Sequence, residues 1–278
     1  VAVSSALANI ALGLITSVVG GAAVWLWQHL AVRRSRRAKE SFFGLARGSG
    51  CLIIFNNAAG RRGAMHHNDV QAMIEVATLA ASTGSPVSVE SCNDFQGLNG
   101  NRTEFCLGGP GGGSNPRTGA HLAAQLPGVR TQAEGTRPLT YEIGGRLYLC
   151  SPGSQEFALV AKFTPDGSSR PVILICGQTA LSNRAAVVYL KREHRALART
   201  LPDLRRFALI LQVTASDAFG HEATELAADV TGAAFGLTAS SALPPVPGPA
   251  AAPSEPMAQS ADKGPGPDQG HPDPRHQV

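Results

Sequence analysis

The sequence predicts an α/β fold, on three observations. Short apolar runs recur through the middle of the chain: Cys51–Phe55 (CLIIF), Thr103–Leu107 (TEFCL), Val172–Cys176 (VILIC) and Phe207–Val213 (FALILQV). Runs of this kind suit strands buried on both faces. Segments of helical spacing lie between several of them, and that alternation implies a parallel sheet with helices on both sides. The expected architecture is a Rossmann-like three-layer sandwich around a mostly parallel sheet, with a β-hairpin insertion.

The chain has 278 residues, of which 43% are hydrophobic and only 16% charged, below the ~25% of an average soluble protein. That length can bury a sizeable core without disulfides. No Gly-X-Y repeat and no sustained heptad occurs, which excludes collagen and coiled coil. The net charge is +4 with three Tyr and two Trp, so nucleic acid is not an expected partner. The five cysteines are scattered, with no CxxC and no zinc spacing. Cys51, Cys106 and Cys176 lie in apolar runs and read as small buried hydrophobes; no metal site is expected.

Taken in order, the first element is a transmembrane helix over residues 1–32. Val1–Leu30 holds no Lys, Arg, Asp or Glu, and Trp25 and Trp27 sit near its end. About 20 apolar residues cross the hydrocarbon, and indole rings favour its margin. Arg33, Arg34, Arg36, Arg37 and Lys39 follow, in a basic juxtamembrane segment assigned to 33–47. Cations on that side alone predict a single-pass protein of the cell membrane, with its N-terminus outside and its main domain cytoplasmic. The α/β domain is expected over 48–240. Residues 241–278 contain ten of the 19 prolines and are expected to form a disordered tail, able to recruit a protein partner.

Within 48–240, CLIIF is the first strand. A helix follows, capped by His67 or Asn68, with Val70, Met73, Ile74 and Ala77 at apolar spacing and Gly84 at its end. Pro86–Glu90 and TEFCL are strands. The Gly-rich turn Gly108–Gly119 leads to a helix from Pro116 or Thr118 to Leu126. Tyr141–Cys150, with Gly144-Gly145 between two alternating runs, is the hairpin, and EFALVAKF (156–163) adds a third strand to this insertion or antiparallel edge. After VILIC, Gly177–Asn183 turns into a helix over Arg184–Thr200, with Ser182 or Asn183 as its cap. FALILQV is the last buried strand, and 222–235 is a helix or a strand.

In open α/β sheets ligands bind beyond the carboxyl ends of the strands. Those ends carry Asn56 and Asn57, then Glu90, Asn93 and Asp94, and after FALILQV Thr214, Ser216 and Asp217. The expected ligand loop is Gly108–Arg117: Gly108, Gly109, Gly111 and Gly112 let an anion approach the backbone, Ser114 and Asn115 offer polar groups, and Arg117 adds charge. Its spacing is neither GxGxxG nor a P-loop. Gly177, Gln178, Thr179 and Asn183 form a second strand–turn–helix candidate. Arg184 stands at a helix start, where the dipole disfavours a cation, as if held for an anionic ligand. His121, one turn into its helix, is placed either to face a phosphate or to be exposed. Glu90 and Asp94 are the best-placed catalytic acids; no GxSxG or HExxH occurs.

At the Gly-rich loop (Gly108, Gly109, Pro110, Asn115) and at GQTALSNRAA (177–186) the chain resembles the Rossmann-like domains of membrane-anchored actinobacterial proteins, over about residues 48–240. That group carries no assigned activity, so the resemblance implies a fold and an anchor but no role for any residue. More remotely the architecture resembles nucleotide-processing domains of the TIR-like and lysine-decarboxylase-like kinds, whose catalytic motifs are not matched. The leading expectation is a membrane-tethered sensor or signalling module binding a nucleotide or other small anion, with no cofactor identified. The alternatives are a nucleotide hydrolase or N-glycosidase using Glu90 or Asp94, and a membrane scaffold acting through the Pro-rich tail.

Overall fold

The computed structural model describes residues 2–58, 64–111, 114–132 and 138–237, with side chains at residue 17 and from 19 onward. The chain divides into two units, Val1–Ser240 and Ser241–Val278. The second unit, and with it the expected disordered tail, lies outside the described residues, as do Gly112 and Gly113.

The first unit opens with helix α1 (Ala2–Phe43), followed by β1 (Gly50–Phe55), α2 (His67–Thr83), β2 (Val87–Ser91), β3 (Arg102–Leu107) and α3 (Pro116–Gln125). Three short strands come next: β4 (Val129–Gln132), β5 (Thr140–Ile143) and β6 (Arg146–Tyr148). Then come β7 (Gln155–Phe163), β8 (Val172–Gly177), α4 (Ala180–Thr200), β9 (Phe207–Thr214), α5 (Ser216–Phe219), β10 (Thr224–Asp229) and α6 (Thr231–Ala234). The main sheet has seven strands in the order β10-β9-β7-β8-β3-β1-β2, and β4-β5-β6 form a separate antiparallel sheet. The fold is therefore mixed α/β with a mostly parallel sheet.

One strand is not where the sequence suggested. EFALVAKF is neither insertion nor edge: β7 lies inside the main sheet, antiparallel to β8 on one side and β9 on the other. An apolar run reports burial on both faces but not strand direction or neighbours. The hairpin across Gly144-Gly145 does form, as β5 and β6. Beyond β9 the chain makes both a strand, antiparallel to β9, and a short helix.

Two apolar clusters flank the sheet. On one face β1, β3 and β8 pack under α2, α4 and the last turn of α1, through residues such as Ile53, Val76, Phe105, Ile175 and Leu190. On the other, Leu52, Cys106 and Leu174 meet α3, the small sheet and α6. All five cysteines are free, and Cys51, Cys106 and Cys176 are fully buried.

Helix α1 does not stop at residue 32 but runs unbroken through the basic cluster to Phe43. The stretch from Arg33 to Lys39 holds no breaker and is rich in Arg, a good helix former; Gly44, at φ +72°, ends it. Phe42 and Phe43 are 1% exposed and Leu45 is fully buried, so packing begins upstream of residue 48. Arg36 donates to Thr83 O and Lys39 Nζ to Ser82 Oγ at 3.1 Å, so these cations meet the C-terminal end of α2, where a helix dipole favours them. Among the described residues no helix is long and apolar enough to cross a membrane. The side chains of residues 2–16, which supply much of the apolar stretch, are outside that description.

Candidate functional site

The strands β1, β3 and β8 run parallel, so their carboxyl ends share one edge. There the chain packs tightly against itself. A Cβ on Gly108, whose φ is +97°, would lie 2.5 Å from Asn56 Cβ, and one on Gly177 would lie 2.6 Å from the Asn183 nitrogen. Both positions need glycine for close approach within the chain. A Cβ on Gly109 would lie 3.0 Å from Leu139 Cδ2 and 3.3 Å from Gly177 O. Ser114 Oγ donates to Gly109 O and Gly111 O, closing the turn on itself. Asn115 caps α3, its Oδ1 accepting from Thr118 N at 3.1 Å while its Nδ2 donates to Leu107 O at 2.7 Å. Asn57 N donates to Ser114 O, and Asn57 Nδ2 to Cys92 Sγ.

Arg117 points away from the Gly-rich turn. Its Nε and Nη2 each lie 2.6 Å from an oxygen of Glu104, its Nη1 donates to Gly97 O, and it stacks on the Phe95 ring. Glu104 is fully buried on β3, and His121 Nε2 lies 3.0 Å from Glu104 Oε1. Burial pushes the Glu104 carboxyl up, but hydrogen bonds from Arg117 and His121 and their charges outweigh it and hold the pKa below its ordinary value. Glu104, Cys106 and His121 offer donor atoms within 4.8 Å of one another. The set suits a cation poorly: both Glu104 oxygens are engaged by a guanidinium, and burial raises the Cys106 thiol. It is an internal ion-pair network, and it absorbs Arg117 and His121.

The second strand–turn–helix is more open. Helix α4 starts earlier than expected: Thr179 is its N-cap, and Ser182 completes a capping box rather than capping by itself. Asn183 instead accepts from Gly177 N and donates to Asp69 Oδ1. Gln178 ties the small sheet to β7, donating to Tyr148 O and accepting from Phe157 N. Ser182 N donates to Thr179 Oγ1 and Asn183 N to Thr179 O. The N–H groups of Ala180 and Leu181 are left without an acceptor among the described residues, as the first donors of a helix must be unless something caps them.

These two residues line a cleft of about 490 Å³, within the range of small-molecule sites. Its lining comprises the start of α2, with His66 and Asn68, and a hydrogen-bonded wall of Gly153, Glu156, Thr179, Ser216 and Asp217; Arg184 is not part of it. His66 rather than His67 or Asn68 caps α2, its Nδ1 accepting from Asn68 N at 3.2 Å. Glu156 is 3% exposed and accepts from Thr179 Oγ1, from Ser216 Oγ at 2.8 Å and from Gly153 N at 3.4 Å. The turn before Ser216 is strained, with Ala215 at φ +47°, a left-handed conformation uncommon outside glycine.

Arg184 stands four residues after Ala180, hence on the same helix face. It is half-buried, its Nη1 reaches Asn68 Oδ1 at 3.4 Å, and its buried Nε has no partner. No carboxylate among the described residues lies within ion-pair distance of it. Close by, Asp69 is 2% exposed; burial raises its pKa against the lowering effects of Asn183, His66, Asn56 and His67. Asn56 Oδ1 is also buried without a partner.

The structure thus gathers Asn56, Asn57, Gly108, Gly109, Ser114, Gly177, Thr179 and Asn183 along one edge, mostly as contacts within the chain. Glu90 lies half-exposed on the outer strand β2 and Asp94 in the exposed turn beyond it. Neither lines the cleft. Sequence reading missed Glu104, Asp69 and Glu156. A lone acid opening an otherwise apolar run was the available signal for Glu156. Comparison with protein-family models, with characterised proteins and with solved structures finds no match to this chain.

Proposed function

We propose that the chain is a ligand-binding module whose cleft at the start of α4 takes a nucleotide or comparable phosphorylated anion, in a sensing or signalling role. Arg184 is the observation that carries this reading. A half-buried guanidinium one turn into α4, beside the cleft lining, with one buried donor unpaired and no acidic partner among the described residues, lacks the counter-charge that buried cations otherwise have. A phosphate resting on the free N–H groups of Ala180 and Leu181 supplies that charge on the same helix face. The Gly-rich turn contributes by packing the edge rather than by holding the anion.

The experiment is a thermal-shift series on the full chain in detergent, with inorganic phosphate and with nucleoside mono-, di- and triphosphates. At 100 times its dissociation constant a ligand adds about 2.7 kcal/mol of stability. The melting temperature should rise in the native chain and not in Arg184→Met. A rise of equal size in the variant, or none in either, would count against the site.

The module is further proposed to be membrane-tethered through α1. Trp25 and Trp27 are 64% and 72% exposed, beside exposed Val24 and Leu26, with the basic cluster just beyond. Apolar side chains open to solvent along a helix are a liability in water and an anchor in lipid. The full chain should float with anionic phospholipid vesicles and remain bound at 1 M salt; recovery in the unbound fraction would sink the tether.

A further inference from the structure

Resting on the phosphorylated-ligand reading of the cleft, the geometry points to a ligand class: a phosphorylated sugar, such as the ribose end of a nucleotide, whose hydroxyls are read by Glu156 and Asp217. The hydroxyl protons of Thr179 and Ser216 are both committed to the Glu156 carboxylate, and Thr179 Oγ1 also accepts from Ser182 N, so neither hydroxyl has a proton left for a ligand. A carboxylate has about four acceptor positions, and three of those on Glu156 are taken, by Thr179, Ser216 and the Gly153 N–H. Asp217 adds an exposed carboxylate on the same wall, held over the turn because its own N–H donates to Gly153 O at 3.1 Å and Gly153 leaves room for it.

This side of the cleft is therefore made of acceptors. A bare oxyanion finds no donor there. What it fits is a group that donates hydrogen bonds, at a short distance from a group that accepts them from Ala180 and Leu181. A phosphorylated polyol carries both. A free cation fits less well, because the positive end of the α4 dipole already faces the carboxylates; acceptor capacity is what remains unfilled. The strain at Ala215 has a use in this arrangement, since it brings Ser216 onto Glu156.

The test is calorimetric titration of the full chain in detergent with three probes: inorganic phosphate, ribose 5-phosphate and 2-deoxyribose 5-phosphate. A hydrogen bond to a charged group is worth about 1.5–3 kcal/mol, so loss of one hydroxyl should weaken binding by about tenfold or more. Ribose 5-phosphate should bind best, the deoxy sugar at least tenfold less well, and phosphate weakly. In Glu156→Gln the two sugars should converge to within about threefold. Should that variant not fold, Asp217→Asn, at an exposed position, should narrow the same ratio. Equal affinity of the native chain for the two sugars would overturn the hydroxyl reading and leave the phosphate site standing. Preserved discrimination in the folded variants would overturn it too. Failure of all three probes would overturn the phosphorylated-ligand reading itself, and this inference with it.

Discussion

Glu104 and Arg184 are charges taken out of water in opposite ways. Glu104 is fully buried but has Arg117 on both oxygens and His121 beside it; Arg184 is half-buried with, among the described residues, one amide oxygen as its partner. Breaking a buried pair from one side leaves an uncompensated charge and costs about 3–5 kcal/mol, so Glu104→Gln should lower the unfolding free energy by about that amount in a urea titration at pH 7. The pH dependence follows from the direction of the shift. The folded pKa of Glu104 lies below its unfolded value. Its contribution is therefore complete above about pH 4.3, the unfolded pKa, and is lost as pH falls toward the folded one. The difference between native chain and variant should shrink on acidification through that window; a constant difference would contradict the assignment. Neither residue's state was legible in sequence. TEFCL reads as an apolar strand whatever its one acid does, and Arg117, thirteen positions away, reads as part of a Gly-rich loop.

At the scale of elements, apolar runs and glycines located nearly every strand and helix, because burial and turn chemistry are local properties. The place of β7 was not local. Only its pairing shows that it crosses the centre of the sheet antiparallel to both neighbours, and this direction puts its first residues at the carboxyl edge of β8. Glu156 and Lys162, six residues apart on one face, then occupy opposite edges of the sheet. At the far edge Lys162 Nζ donates to Phe42 O at 2.6 Å and to Ser41 O at 3.3 Å, capping the end of α1. Burial pulls its pKa down to about 8, against the opposing charge of Asp203. The unfolded value is about 10.4, so between the two the unfolded chain binds more protons and Lys162 adds stability as pH rises. The unfolding free energy of the native chain relative to Lys162→Met should therefore be flat below pH 8 and increase from there toward pH 10. A flat profile throughout would mean that the ammonium is not buried.

For the whole molecule, the rule that ligands gather at the carboxyl edge of an α/β sheet named Thr179, Ser216 and Asp217, which line the cleft, together with residues that do not. Glycine-rich composition made Gly108–Arg117 the prominent candidate, yet most of its described polar groups are satisfied within the chain. The cleft is built from segments far apart in sequence: the starts of α2 and α4, the turn leading into β7 with its first residues, and the strained turn after β9. No local pattern announces such a constellation: Thr179, Ser216 and Asp217 were legible one by one at strand ends, and Glu156 was not. The central claim is that the unfilled groups at the start of α4 are a ligand site. Hydrogen exchange of the full chain, with and without saturating nucleotide, tests it most directly. Slowed exchange over residues 177–184 and at the start of α2 is the predicted result. Protection confined to the Gly108–Arg117 turn, or unchanged exchange with bound nucleotide, would contradict it.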